Sequence, residues 1–166
     1  MKETVQLKEE KETHFITLYA KAQDYQSKHS ILHDHWADDM TRSVDYDFSG
    51  IAKFSNSISV VRAKQFVEYV KDFIRQHSNA VIVYLGCGLD ARIMRIAPPP
   101  NVSWFDVDYA EVIELRKSLV PVINGYHMIA SSVTEPGWLD QIPANRPTLI
   151  LAEGLVEYLN EEKVQT

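Results

Sequence analysis

A glycine-rich turn is the first feature of this sequence whose residue types and spacing could serve chemistry. The segment 85–92, LGCGLDAR, has the spacing G-x-G-x-x-A of a nucleotide-binding turn. Gly86 can take the tight turn, Gly88 leaves room for a ligand beside the backbone, and small Ala91 permits close packing of a helix on a strand. Because an ordinary strand-to-helix turn can show the same pattern, the surrounding residues are needed to distinguish a nucleotide-binding turn from an ordinary one.

An acidic residue stands where nucleotide-binding proteins place a ribose ligand. Asp108 lies twenty residues after Gly88, at the end of an apolar run. There a carboxylate can accept hydrogen bonds from both hydroxyls of an adenosine ribose. Asp106 falls on the same face but deeper in the run, and is the weaker candidate. Asp108 can also cap the following helix, a role compatible with ribose binding.

A second carboxylate is expected to reach the same crevice. Glu153 follows another apolar run, just before Gly154. In open α/β sheets, ligands bind outside the carboxyl ends of the strands, where the strand order reverses. With the order 3-2-1-4 this point lies between the first and fourth strands, so Glu153 would face Gly86. Its alternative role is to cap the final helix.

These residues need a framework, and the second half of the chain predicts a parallel sheet. Four apolar runs rich in β-branched or aromatic residues are typical of strands buried on both faces: 80–85, 102–107, 126–130 and 148–152. Helical patterns separate them at 91–96, 110–119 and 135–141. This alternation predicts an α/β fold, a doubly wound sheet with right-handed crossovers.

The first 78 residues predict helices instead of strands. Apolar residues at spacings of three and four mark helices around 15–22, 31–40 and 57–74, the second capped by Ser30 or Asp34. The segment 45–54 is predicted to be a loop. We therefore divide the chain into a helical cap, residues 1–78, and a cofactor-binding half-domain, residues 79–166.

Composition narrows the class of protein. The 166 residues carry 17 Lys+Arg against 23 Asp+Glu, a net charge of −6, and no dense basic stripe, which disfavours nucleic acid as a partner. No apolar run is long enough to span a bilayer or to form a signal peptide. One cysteine, Cys87, forms no intrachain disulfide. We therefore expect a cytoplasmic protein that binds neither nucleic acid nor membrane.

Taken in order, these motifs resemble the leucine carboxyl methyltransferase family, and more closely its branch of small-molecule O-methyltransferases related to polyketide biosynthesis. The likeness is carried by segments 85–92, 104–108 with 111–113, and 152–155 with 158–159, and runs from about Glu12 to the last residue. It implies a Rossmann-like fold that binds S-adenosylmethionine, methylates an oxygen of a small molecule, commonly a carboxylate, and releases S-adenosylhomocysteine.

The resemblance also implies a role for each matching residue. Gly86 and Gly88 would line the methionine part of the cofactor, with Cys87 as a small filler beside it. Asp108 would hold the ribose and Glu153 would meet the amino group.

Three further positions carry weight in the resemblance. Arg62 would grip the cofactor carboxylate, for which a guanidinium fork is well suited. Ser132 and Val133 match the pair that flanks the adenine, although many relatives have Asp at the position of Ser132.

The helical front would form a lid over the site. Aromatic faces of Tyr19 and Trp36 would favour a sulfonium by cation–π attraction, and Lys21 would pair with an acidic acceptor. Ordinary packing aromatics and a surface lysine fit these positions equally well. His33 and His35 diverge on a helix, so we expect no metal site. We assign no general base, because a carboxylate acceptor is already ionised.

Two other functions stay open. An NAD-binding dehydrogenase domain also uses a glycine turn and an acid, although the long helical front and Glu153 favour methyl transfer. A non-catalytic cofactor-binding or interaction module stays open because a full methyltransferase sheet adds about three strands to the four predicted here. We therefore expect a fold truncated at the C-terminus, with an exposed strand edge that pairs with another chain, as in a homo-oligomer.

Overall fold

The computed structural model describes residues 3–4, 9–51 and 57–159. The α-helices are α1 Glu9–Gln26, α2 His35–Ser43, α3 Ser57–Gln76, α4 Arg92–Ile96 and α5 Ala110–Leu119. The strands are β1 Glu3–Thr4, β2 Val44–Asp45, β3 Val81–Leu85, β4 Ser103–Asp108, β5 Tyr126–Ala130 and β6 Thr148–Ala152. Short 3-10 helices cover Phe48–Gly50, Pro136–Gln141 and Val156–Tyr158.

The centre of the fold is a parallel sheet of four strands in the order β5-β4-β3-β6. Val83 on β3 pairs with Phe105 on β4 and with Ile150 on β6. The order reverses between β3 and β6, which confirms the predicted α/β class and the order 3-2-1-4 on which the position of Glu153 depends. The carboxyl ends of β3, β4 and β6 meet at one edge of the sheet, where a ligand crevice is expected.

The two faces of the sheet are covered unequally. On the first face, Ile82 and Tyr84 of β3 belong to one large core with side chains from all five helices. On the second face, Val83 packs in a smaller cluster with Phe105 and Trp138. Ile150, beside Val83 in register on β6, is 55% exposed. The second layer therefore covers less of the sheet than the first.

The helical front shares the first-face core with the sheet. Phe15 and Leu18 of α1 and Met40 of α2 are buried there. The proposed division at residue 78 stays a prediction. No helix in the ranges that the structure describes is both long and apolar enough to cross a membrane.

The second helix begins later than its apolar pattern predicts. Asp24 accepts hydrogen bonds from the backbone N–H groups of Ile31 and Leu32, each at 2.9 Å, which holds this segment in a turn. The helix starts at His35, and Asp34 caps it by accepting from the N–H of Ala37 at 3.1 Å. Of the two predicted caps, Asp34 is the one used.

Two more segments differ from expectation. Residues 136–141 form a 3-10 helix instead of an α-helix, in keeping with Pro136 and Gly137 at its start. The predicted loop 45–54 holds a short strand pairing, because β2 runs parallel to β1, and a 3-10 turn capped by Asp47. Residues 52–56 lie outside the described ranges, as does any part of the expected final helix beyond residue 159.

Candidate active site

A cavity of about 230 Å³ opens at the carboxyl edge of β3, β4 and β6, facing α1 and α3. Most residues singled out from the sequence line it: Lys21, Arg62, Gly86, Cys87, Gly88, Asp108, Val133 and Glu153. Ser132 and Tyr19 do not. The topology therefore brings together residues as distant in the chain as Lys21 and Glu153.

The glycine turn lies on the floor of this cavity. Gly86 and Gly88 have φ of +62° and +52°, in the left-handed region that favours glycine. A Cβ on Gly88 would meet Nδ1 of His14 at 2.5 Å, and one on Gly86 would meet Leu155 at 3.0 Å. The backbone conformation therefore favours glycine at both positions, and at Gly88 a Cβ would also force the His14 ring to move.

Asp108 is buried at the end of β4 and supports the turn. Its Oδ2 accepts from the N–H of Gly88 at 2.8 Å, and its Oδ1 accepts from the N–H of Tyr109 at 2.8 Å. A carboxylate has about four lone-pair sites, so about two remain for a ligand hydroxyl pair. The residue also lines the cavity, as a ribose ligand must.

Asp106 has a structural role away from the cavity. It is fully buried and accepts from Arg116 Nε at 2.9 Å, from Trp104 Nε1 at 2.8 Å and from the Tyr126 hydroxyl at 2.5 Å. Arg116 Nη1 in turn donates to the carbonyl of Gly88 at 3.0 Å. This buried group holds the glycine turn from below.

Two arginines hold Glu153. Arg62 Nε donates to its Oε1 at 2.9 Å, and Arg92 Nη2 donates to its Oε2. The Glu153 side chain is 6% exposed, whereas that of Arg62 is 43% exposed. The two residues therefore form one charged corner of the cavity, with a cation accessible from solvent.

Asp90 is the hub of a buried charge cluster that the motif analysis missed. Lys21 Nζ lies 2.8 Å and Arg92 Nη2 3.1 Å from its Oδ2, and Arg95 Nη2 lies 2.7 Å from its Oδ1. Burial opposes ionisation, but the cations outweigh it and hold the pKa of Asp90 well below its usual range. The signal in the sequence was three charged residues, Asp90, Arg92 and Arg95, that fall within six consecutive positions of an otherwise apolar segment.

Asp34 completes this cluster from α2. Arg95 Nη1 donates to its Oδ2, and the carboxyl is fully buried. Burial raises the pKa of Asp34, despite the opposing effect of Arg95.

Cys87 is buried, and burial raises the pKa of its thiol well above the usual range. The Ser132 hydroxyl lies 2.9 Å from that of Thr134, while Val133 faces the cavity. Tyr19 stacks on Phe48 at 4.9 Å between ring centroids.

One side of helix α1 also lines the cavity. Thr13, His14, Thr17 and Lys21 all contribute to the wall. Thr13, Thr17 and Lys21 are four residues apart, a spacing that places side chains on one helix face. The spacing of these polar residues is visible in the sequence, but the apolar residues of the same helix form the stronger pattern. In the described residues, no group of three or more His, Cys, Asp or Glu side chains is arranged to hold a metal ion.

The chain is similar to proteins from bacteria and fungi. It is 44% identical over 163 residues to the tetracenomycin polyketide synthesis O-methyltransferase TcmP of Streptomyces glaucescens, covering 97% of this chain and 60% of the relative. It is 29% identical over 170 residues to the S-adenosyl-L-methionine-dependent methyltransferase dpfgK of Gibberella zeae, covering 92% of this chain and 57% of the relative. The chain thus spans about three fifths of these relatives' length.

Residues 14–166 match the family model of leucine carboxyl methyltransferases. This match includes the glycine turn, Asp108 and Glu153, and it agrees with the parallel sheet that brings them together. The chain belongs to the leucine carboxyl methyltransferase family.

Proposed function

We propose that this chain is the cofactor-binding part of an S-adenosylmethionine-dependent O-methyltransferase that acts on a carboxylate or hydroxyl of a small molecule. The observation that carries the proposal is the cavity where the left-handed glycines, Asp108 and the Arg62–Glu153 pair meet. The names of the two relatives support methyl transfer, to oxygen in the case of TcmP.

The lining residues fit an adenosyl amino acid. Asp108 retains lone pairs for the ribose hydroxyls, and Val133 offers an apolar wall to the base, with Ser132 next to it in the chain. Glu153 would meet the amino group and Arg62 the carboxylate. Cys87 and the two glycines would flank the methionine part.

The charge balance of this corner supports an anionic group beside Arg62. In the described structure, the bonded cluster joins four cations to three carboxylates: Lys21, Arg62, Arg92 and Arg95 with Asp34, Asp90 and Glu153. The exposed cation of the set is Arg62. A ligand carboxylate would therefore find an accessible partner there.

The protein's contribution to the reaction is to bind and orient. S-adenosylmethionine, when bound, supplies an electrophilic methyl group on a sulfonium. The chain's residues would hold both ends of the cofactor, keep the acceptor oxygen in line and exclude water. A carboxylate acceptor is ionised at neutral pH and needs no base. Because burial keeps the Cys87 thiol protonated, we assign it no nucleophilic role.

Acceptor contacts by Tyr19 and Lys21 stay a prediction. The Lys21 ammonium is already 2.8 Å from Asp90, so an acidic acceptor would have to share it. Glu157 adds a carboxylate to the cavity wall, which disfavours an anionic acceptor on that side.

We also propose that the protein self-associates through the edge of β6 that has no strand partner among the described residues, and that it resides in the cytoplasm. This five-residue strand, Thr148-Leu149-Ile150-Leu151-Ala152, has neither the lysine nor the proline that commonly blunt such edges. The buried, protonated Cys87 is compatible with a reducing compartment.

Titration calorimetry tests the cofactor. We expect S-adenosylhomocysteine to bind and NAD not to bind. Asp108→Asn should weaken S-adenosylhomocysteine by about tenfold or more, the effect of a lost charge-assisted hydrogen bond. The exposed Asp140→Asn is the control. Absence of binding at millimolar S-adenosylhomocysteine, or binding of NAD instead, would contradict the proposal.

Mass spectrometry tests the transfer itself. A panel of small carboxylic acids and phenols is incubated with the protein and S-adenosylmethionine, and products heavier by one methylene group are sought. Cofactor binding without any transfer would favour the non-catalytic binding module over the enzyme.

A further inference from the structure

Arg92 is a fully buried arginine outside the cavity wall. It begins the short helix α4 directly after the glycine turn and has no exposed surface. Its guanidinium carbon lies 4.6 Å from the ring centroid of Tyr84 and 5.2 Å from that of Phe66. The two rings and the surrounding core remove it from solvent, so any effect on a ligand must pass through a neighbour.

The bonding of Arg92 is unusually one-sided. Its Nη2 donates to two carboxylates, Asp90 Oδ2 at 3.1 Å and Glu153 Oε2. Its Nε and Nη1 have no hydrogen-bond partner in the part of the chain that the structure describes. Burying a cation with two unsatisfied donor atoms is costly, and each carboxylate that Arg92 binds has another cationic partner: Lys21 and Arg95 for Asp90, and Arg62 for Glu153. Stability alone therefore gives a poor account of this arginine.

The position of Arg92 in the fold gives a better explanation for its presence. Asp90 belongs to the glycine turn and Glu153 to the end of β6, on opposite sides of the reversal in strand order. Arg92 bridges the two sides. Because Arg62 donates to Oε1 of Glu153 while Arg92 donates to Oε2, both oxygens are held and the plane of the carboxylate is fixed.

We propose that Arg92 is a positioning residue for the amino-acid end of the cofactor, acting through Glu153. This inference rests on the proposed function. It assigns Arg92 no contact with the ligand, and it predicts that losing the guanidinium weakens ligands that reach Glu153 while sparing ligands that end at the adenosine sulfur.

The test compares two ligands by calorimetry. S-adenosylhomocysteine carries the amino-acid end, whereas 5′-methylthioadenosine shares the adenosine and sulfur but lacks it. Arg92→Lys and Arg92→Met should weaken S-adenosylhomocysteine by about tenfold and change 5′-methylthioadenosine by less than about twofold. Combining Arg92→Lys with Glu153→Gln should weaken S-adenosylhomocysteine no more than Glu153→Gln alone, because both changes act on one contact.

Arg95→Lys is the matched control. Arg95 is nearly as buried, lies on the same helix and also binds Asp90, but its second partner is Asp34 instead of Glu153. This variant should leave the ratio of the two affinities unchanged.

Several outcomes would overturn the inference. Equal weakening of both ligands by Arg92→Lys would indicate a general structural role and leave the proposed function intact. Thermal unfolding monitors whether the variants fold. Loss of folding in both Arg92 variants would show that the arginine is retained for stability. Failure of the unaltered protein to bind S-adenosylhomocysteine would overturn the inference together with the proposed function.

Discussion

At the scale of single residues, Gly88 is constrained in several ways at once. Asp108 accepts from its N–H, Arg116 donates to its carbonyl, and the His14 ring lies beside its Cα. A left-handed φ adds a conformational requirement. Position, orientation and side-chain size are therefore fixed independently at one residue.

We expect Gly88→Ala to destabilise the fold by about 2 kcal/mol or more, because a Cβ meets His14 and the left-handed region disfavours alanine. The free energy of unfolding, from urea titration, measures this. Gly137→Ala is the control, since no atom lies within 4 Å of its added Cβ. Equal stability of the two variants would contradict the account of the turn.

The lowered pKa of Asp90 predicts that the free energy of unfolding falls at acid pH. Burial alone would raise the pKa of Asp90, but Arg95, Lys21 and Arg92 outweigh it and hold the pKa in the folded chain well below the ordinary value of 3.8. The unfolded chain therefore takes up the proton first. The contribution of Asp90 is complete above about pH 5 and is lost as the pH falls below about 4.

Asp90→Asn should consequently lower the free energy of unfolding at neutral pH and flatten its decline below about pH 4. Chemical denaturation across this range tests both effects. The exposed Asp140→Asn should leave the decline unchanged. A variant that retains the wild-type acid dependence would show that Asp90 is not the responsible group.

At the scale of elements, the Arg116 side chain connects helix α5 to the site. Arg116 links it to Asp106 of β4, to the Tyr126 hydroxyl of β5 and to the carbonyl of Gly88. Its side chain is 1% exposed. Removing one partner of a buried ion pair leaves the other charge uncompensated, so this contact is sensitive to substitution.

Arg116→Met should therefore destabilise the protein by about 3 kcal/mol, as measured by urea unfolding. The neighbouring Lys117→Met changes the same helix, but Lys117 forms an exposed pair with Glu114 and should cost less than about 0.5 kcal/mol. A difference of less than about 1 kcal/mol between the two variants would refute this role.

The same scale shows what periodicity could and could not predict. The four strands of the sheet and helix α5 follow from short apolar runs and helical spacing. The start of α2 did not, because the Asp24 carboxylate holds residues 31 and 32 in a turn. Strand β2 was missed because a two-residue pairing leaves no periodic pattern.

Some residues of the candidate site could also be predicted from the sequence, whereas others could not. Positions in local motifs, such as Asp108 and Glu153, were available from spacing along the chain. The contacts of Arg92 and Lys21 were not, because they depend on which distant segments the fold brings together. The burial and the neighbouring cations that shift the pKa of Asp34 and of Asp90 are likewise properties of the packed structure.

At the scale of the whole molecule, the uneven covering of the sheet is the main feature. The β6 edge is free of strand partners among the described residues, and Ile150 of this strand is 55% exposed. Edges of this kind readily pair with other chains.

We expect Ile150→Lys to reduce self-association, because a charge on the β6 edge opposes pairing. Light scattering at micromolar protein gives the mass. Tyr69→Lys adds the same charge at a 56% exposed position on α3 and should leave the mass unchanged. A monomeric mass for the unaltered protein would contradict the proposed assembly.

The position of β6 also bears on the order of folding. Val81 pairs with Thr148, and Arg62 meets Glu153 across ninety-one residues, so these contacts close long loops and are expected to form late. The crevice would then be incomplete in the transition state. S-adenosylhomocysteine should slow unfolding in stopped-flow experiments without accelerating refolding. Accelerated refolding would mean that β6 joins the sheet early, so the same kinetic experiment reports when the last corner of the site is assembled.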